Sequence, residues 1–239
     1  MISRVAITRA KAAGALRWLG VLGGRARLEG EVVVVSPHAD DAALSLGAAI
    51  SHAVRGGSQV TILTVLAGDP GSTAPAGDWD RRAGFGTAGE AAAARREEDA
   101  AACARLGAQP LWLPYSDEQY ERGGSDDEVL GAVVGAVGSA FVLLPGFPLE
   151  HEDHRWLQEL LEAAFPPTRR GLYVEQPYAA TCSASPGDGW RCLRAGLGDQ
   201  RRKLAACRDY TSQQGLLGKP LASILRYEIG RGGESAALP

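Results

Sequence analysis

The chain has 239 residues, a formal net charge of −3, 45% hydrophobic and 22% charged residues. That is enough for one sizeable core, and the balance excludes disordered, collagen-like and solenoid proteins. With no net positive charge and no basic stripe interleaved with aromatic residues, nucleic acid is not an expected partner. The four cysteines, Cys103, Cys182, Cys192 and Cys207, show no C-x-x-C spacing, and a chain of this size does not depend on disulfides. Reduced thiols and a cytoplasmic location are expected, with a Cys182–Cys192 bridge as the alternative.

The opening "MISRVAITRAKAAGALRWLGVLGG" is basic and then apolar, but Arg17 interrupts it and no cleavage site follows. It reads as an amphipathic helix packed on the domain, with peripheral membrane contact as the alternative. No run approaches the roughly 18 apolar residues of a membrane span. A single domain over residues 1–239 is expected, with residues 1–30 as a helical extension.

"EVVVVS" is a β-branched run of the kind buried on both faces of a parallel sheet. "DDAALSLGAAISHAVRGG" follows with helical apolar spacing and a Gly-Gly stop, and "SQVTILTVLAG" is the next strand. Residues Asp69 to Gly89 are rich in Gly, Pro and Asp and too long for a plain connector, which marks a candidate lid. "EAAAARREEDAAACARLG" predicts a helix, "QPLWLPYSD" a strand and loop, Ser125 to Val137 a helix, and "AFVLLPGF" a buried strand. "PLEHEDHRWLQELLEAAF" opens a further helix, "GLYVEQPY" is a late strand, and "GDQRRKLAACRDYTSQ" a helix. Strands alternating with helices predict an α/β, Rossmann-like fold with a mostly parallel sheet and helices on both faces.

Ligands of such folds bind beyond the carboxyl ends of the strands. Three of the four histidines lie at two such ends, in "SPHADD" and "HEDH". His38 and Asp41, and His151 and His154, are three positions apart, so each pair can project to one side. Two histidines and one carboxylate with an open position is the donor set of a catalytic zinc site. His38, Asp41 and His154 are the expected ligands, with iron or cobalt as alternatives to Zn²⁺. Asp40 stands beside them as the expected general base. His151 is expected either to stabilise an oxyanion or to protonate the leaving group, with Asp153 holding its imidazole. Helix capping competes as an explanation for the Asp pair, and it leaves the histidines unexplained. His52 has no carboxylate cluster in its own segment and stands outside the set.

"SPHADDAALSLGA" resembles the P-H-P-D-D-E signature of the PIG-L/LmbE-like de-N-acetylases, and "HEDH" resembles their H-x-D-H motif. Arg95, Glu98, Ala102 and Leu106-Gly107 are similar to a later helical motif of that family, and Lys203, Ala206, Tyr210, Ser212 and Gln213 to its late K-x-x-A…S-Q helix. The likeness spans roughly residues 31 to 215. Ala39 stands where the family has proline, and Ala42 where it commonly has glutamate. The resemblance implies a Rossmann-like, zinc-dependent hydrolase in which His38, Asp41 and His154 hold the metal, Asp40 is the base and His151 has an electrostatic or acid role. By the same likeness Arg95 and Asp117 resemble substrate contacts. The expected reaction is removal of an N-acetyl group from an amino sugar or sugar-bearing metabolite, by attack of a zinc-bound water. The alternative is a related zinc amidase that cleaves a larger acyl or peptide-like amide. A phosphoacceptor domain fits poorly with "LWLPYSD" and three lysines, and no dinucleotide or P-loop glycine pattern follows a strand.

Overall fold

The computed structural model describes residues 14–15, 25–217 and 220–239. Its centre is β1 (Glu31–Ser36), where every residue after Glu31 is buried. Strands β2 (Gln59–Thr64), β3 (Gln109–Trp112), β4 (Phe141–Phe147) and β5 (Arg170–Val174) join it in parallel, and β6 (Trp190–Cys192) and β7 (Ser235–Ala237) complete the sheet. The strand order is β3-β2-β1-β4-β5-β7-β6, with β7 antiparallel to both of its neighbours.

The continuous valine run is explained by the two faces it serves. Val32 and Val34 pack with α1 (Asp41–Arg55), α3 (Ala88–Leu106) and α7 (Leu197–Asp209), and Val33 and Val35 with α4 (Asp126–Val137) and α5 (Glu152–Glu162). A strand buried on both faces needs apolar side chains at successive positions. The expected α/β architecture with helices on both faces is therefore observed. The chain leaves β1 for β2 on one side and reaches β4 on the other, so a topological switch point lies between β1 and β4.

Some elements differ from the sequence reading. The 69–89 segment contains a short helix, α2 (Asp78–Ala83), and closes on itself through Ala76 N–H to Gly86 O at 3.1 Å and Ala88 N–H to Ala74 O at 2.9 Å. Gly89 is required there, because a Cβ would stand 2.3 Å from the Ser72 carbonyl oxygen. After the single-turn α6 (Tyr178–Thr181), the late helix divides into α7 and α8 (Thr211–Gln214), since Tyr210 leaves helical geometry at ψ 63°. Residues 25–30 run without helix, with Ala26 bridging Leu193, and most of the expected N-terminal helix lies outside the described residues. All four cysteines are unpaired, including Cys182 and Cys192. No described helix is long and apolar enough to cross a membrane.

Two buried polar clusters brace the layers. Lys203 of α7 lies against α1, where a Cβ on Gly47 would come within 2.9 Å of its Cγ. Its ammonium donates to Glu228, on α9 (Pro220–Arg231), and to Glu234 at 2.6 Å, with all three side chains at most 2% exposed. Burial opposes the lysine charge, and the two carboxylates outweigh it and raise its pKa. Glu234 also accepts the Ala48 and Ala49 amides at 2.9 and 2.6 Å, which ties the carboxyl-terminal segment to α1. Asp99, fully buried on α3, accepts Tyr210 Oη–H and Trp112 Nε1–H at 2.7 Å each and Thr64 Oγ1–H at 3.2 Å.

Removing the cation from the first cluster strands two buried carboxylates, which costs about 3–5 kcal/mol. Lys203→Met should therefore lower Tm by roughly 10 °C; a calorimetric scan showing an unchanged Tm would refute the brace. Burial pushes Asp99 up to about 6, against its three hydrogen bonds. A folded-state value above the unfolded one makes this carboxyl stabilising below the unfolded pKa, and the contribution is lost as pH rises through about 6. Urea titrations should show wild type losing on the order of 2 kcal/mol between pH 4 and 7 relative to non-titrating Asp99→Asn. A difference independent of pH would contradict that assignment.

Candidate active site

The turn after β1 is organised by a hydroxyl. Ser36 Oγ donates to the His38 carbonyl at 2.6 Å and accepts the Ala42 amide at 3.0 Å, in the first turn of α1. Asp40 occupies the N-cap position without a side-chain capping bond, because Ser36 already meets that need. Asp41 turns back instead, and its Oδ2 accepts the His38 amide at 2.8 Å. Capping and site chemistry are thus divided between different residues. Ala39 and Ala42 lie in the apolar cluster beneath the turn.

His154 arrives from the second strand end, fully buried in the first turn of α5. His38 Nδ1, Asp41 Oδ2 and His154 Nε2 form a triangle with edges of 3.3, 3.2 and 3.2 Å. Ligands about 2.0–2.1 Å from a tetrahedral zinc stand about 3.3–3.4 Å apart, so these donors fit one face of such a site. The far ring nitrogens are also occupied: His38 Nε2 lies 3.2 Å from Asp153 Oδ2, and His154 Nδ1 lies 2.7 Å from Glu175 Oε1. Carboxylates on the outer nitrogens fix ring orientation and raise ligand basicity.

Asp153 was expected on His151, and the structure puts its carboxylate elsewhere. It contacts His38 and accepts Arg122 at 3.1 Å and the Glu118 amide at 3.3 Å. Its backbone amide is what meets His151, donating to Nδ1 at 3.2 Å where His151 caps α5. That bond fixes the neutral tautomer with the proton on Nε2. Ring nitrogens of His38, His151 and His154, one from each, lie within 4.8 Å of one another, as do a His151 nitrogen and carboxylate oxygens of Glu118 and Asp153, but a ring held as His151 is offers a cation no lone pair. His151 is a hydrogen-bond donor.

The charges follow from this packing. Burial lowers His38 and His154, but their carboxylate partners outweigh it, holding His38 well above its ordinary range and His154 at about 9. Burial would raise Asp41, and the two imidazoles hold it far below the carboxylate range. Arginine and histidine contacts similarly overcome burial and hold Asp153 at about 2. Asp40 lacks such direct partners; burial and the Asp41 charge push it up to about 7. His151 is lowered by burial and by the two neighbouring histidines, which favours its neutral form. The site thus sets two imidazoles among the carboxylates of Asp41, Asp153 and Glu175, beside one carboxyl, Asp40, poised near neutrality.

A cavity of about 910 Å³ opens over these groups, lined by His38, Asp40, His151, Tyr178, Trp79 and Trp112 among others. Arg95 and Asp117 also line it, but each has protein partners. Arg95 pairs with buried Asp80 and lies 3.8 Å from Asp117, whose carboxylate accepts the Gln119 amide at 3.0 Å. Glu175, Arg122 and Ser36 were not anticipated. Glu175 alone carried a signal, as a carboxylate just beyond a late parallel strand, where ligands of such sheets gather. His52 joins Ser51 and Arg55 on Asp199, away from the site.

Among solved structures, the chain is similar to the A40926 pseudoaglycone deacetylase, with 27% identity, a TM-score of 0.67, and 89% of this chain and 96% of that one covered. It is similar to a deacetylase of the teicoplanin biosynthesis pathway at 25% identity and a TM-score of 0.68, covering 86% and 96%. The 4-carboxy-2-hydroxymuconate hydratase of Pseudomonas putida shares the fold at 23% identity and a TM-score of 0.59, covering 83% and 84%. No curated protein sequence matches the chain. The family described as PIG-L, GlcNAc-PI de-N-acetylase, matches residues 33–165, more than half of the chain and both histidine-bearing strand ends. The chain therefore belongs to the PIG-L de-N-acetylase family.

Proposed function

We propose that the protein is a zinc-dependent deacetylase that hydrolyses the N-acetyl group of an amino sugar carried on a larger metabolite, acting in the cytoplasm as a single catalytic domain. The observation that carries this reading is the His38–Asp41–His154 triangle with the uncommitted Asp40 carboxyl beside it. The relatives at 25% identity or above, which are deacetylases of A40926 pseudoaglycone and of the teicoplanin pathway, support the reaction and the glycosylated class of substrate. The unpaired cysteines fit a reducing compartment.

His38, Asp41 and His154 would hold the ion, whose contribution is Lewis acidity toward water and the acyl oxygen. Asp40 accepts a proton from the attacking water as its oxygen bonds to the carbonyl carbon. His151 donates its Nε2–H to the oxygen on which negative charge develops. The proton held by Asp40 then passes to the amide nitrogen as the C–N bond breaks, leaving acetate and a free amine. Asp153 and Glu175 keep the two imidazoles aimed throughout.

Acetate release from a panel of N-acetylated sugars and glycosides tests the reading, and absence of release from every member would overturn it. Longer acyl groups in the same panel test the broader amidase. Asp40→Asn should bind zinc as wild type does and lose 10²- to 10⁴-fold in kcat; undiminished turnover would remove Asp40 from the scheme. Glu175→Gln should weaken zinc binding by about 10- to 100-fold in competition with a chelating dye. Unchanged affinity would mean that Glu175 does not support a metal ligand.

A further inference from the structure

The 69–89 segment carries an aromatic side chain whose position is set by contacts outside the reacting centre. The Gln119 side-chain oxygen accepts the Trp79 and Asp80 amides at 2.8 and 3.4 Å, capping the start of α2 from another loop. Tyr120 Oη accepts the Gly77 amide at 2.7 Å and donates to Asp80 at 2.6 Å. The backbone around Trp79 is therefore pinned at three amides, those of Gly77, Trp79 and Asp80.

The ring is fixed as well. Trp79 Nε1–H donates to Gln213 Oε1 at 3.0 Å, and Gln213 Nε2 donates to Ser212 Oγ at 3.0 Å. Ser212 is held in turn by Glu98, through its hydroxyl at 2.7 Å and its amide at 2.8 Å, and Thr211 donates to the same carboxylate at 2.7 Å. With its amide nitrogen committed to Ser212, Gln213 can present only its oxygen to the indole. The Arg82 guanidinium lies 5.3 Å from the indole centroid. Trp79 and Gln213 both line the cavity that contains His38 and Asp40, yet neither contacts the proposed ligands or base. At about 910 Å³, that cavity is at the large end of small-molecule sites.

We propose that Trp79, held by Gln213, is a preformed stacking wall for an aromatic aglycone attached to the acylated sugar. This rests on the deacetylase reading and names the part of the substrate remote from the amide. An indole whose backbone, ring nitrogen and one neighbouring cation are already ordered loses little freedom when a flat ring packs on it. Trp79 sets specificity, and Gln213 is a positioning residue that acts through it.

The test compares N-acetylglucosamine with its 4-methylumbelliferyl β-glycoside, using zinc-loaded wild type, Trp79→Ala, Trp79→Phe and Gln213→Ala. Trp79→Ala should lose about tenfold more kcat/KM toward the aryl glycoside than toward the free sugar. Trp79→Phe should recover most of that difference, and Gln213→Ala should raise KM for the aryl glycoside with little change in kcat. Equal losses on both compounds, or no recovery with phenylalanine, would overturn the wall. Calorimetric binding of 4-methylumbelliferyl β-glucoside, which has no acyl group, separates the two readings. If no acetate is released from either compound or from the wider panel, the deacetylase reading fails; weaker glucoside binding to Trp79→Ala would still uphold the wall, and equal binding would sink it.

Discussion

The hydroxyl of Ser36 is the contact on which the arrangement of the site depends. A helix that begins at a strand end leaves amides without partners, and an aspartate at the N-cap ordinarily meets that need. Here Ser36 Oγ meets it from the strand and also holds the His38 carbonyl. Asp40 is released from capping, and Asp41 folds back onto the His38 amide. The adjacent carboxyls consequently differ widely in acidity, with Asp41 held ionised between two imidazoles and Asp40 raised to about 7 by burial and by Asp41 itself.

The same logic extends outward in layers. Two histidines facing one carboxylate would be free to rotate if their outer nitrogens met only water. Asp153 and Glu175 prevent this, and each is itself restrained. Asp153 is gripped by Arg122, whose guanidinium stacks 3.7 Å from the Trp156 ring centroid. Glu175 accepts the amide of Leu149, a residue at φ 59° in the left-handed region. A non-glycine residue there costs roughly 1–3 kcal/mol and persists only where its surroundings hold it. The Glu175 bond does so, and it couples the backbone of the His151 loop to the orientation of His154.

Much of this was legible in the sequence because it rests on local pattern. The valine run, the helical spacing after it and the histidines at two strand ends point to the parallel sheet and to the residues that meet at its strand ends, while the switch point emerges only from the strand order. What was not legible depends on contacts between distant segments. The short antiparallel strands β6 and β7 lack a periodic signature, although Ala236 of β7 is wholly buried between β5 and β6. Helix α2 is hidden in a Gly- and Pro-rich stretch because its cap, Gln119, comes from elsewhere in the chain. Arg95 resembled a substrate contact, but only the fold reveals Asp80 beneath it. Asp153 was placed beside His151 by proximity in sequence, yet one position along a helix turns its carboxylate toward His38 instead.

The late segment from Lys203 to Gln213 shows how residues remote from the reacting groups shape their setting. Lys203 ties α1 to the carboxyl-terminal Glu228 and Glu234, Tyr210 meets Asp99 beneath β2 and β3, Ser212 meets Glu98 on α3, and Gln213 meets Trp79 over the cavity. These contacts are spaced along α7 and α8, so one segment touches the helix that carries Asp41, the helix that carries Arg95 and the loop that supplies Trp79 to the cavity lining. The break at Tyr210 separates its two tasks. Before the break the segment is buried and ionic, where substitution is read as stability; after it the side chains are partly exposed at the cavity wall, where substitution is read as selectivity. Neither half supplies a group to bond breaking, so the chemistry of the strand ends and the choice of what reaches them are carried by separate parts of the fold.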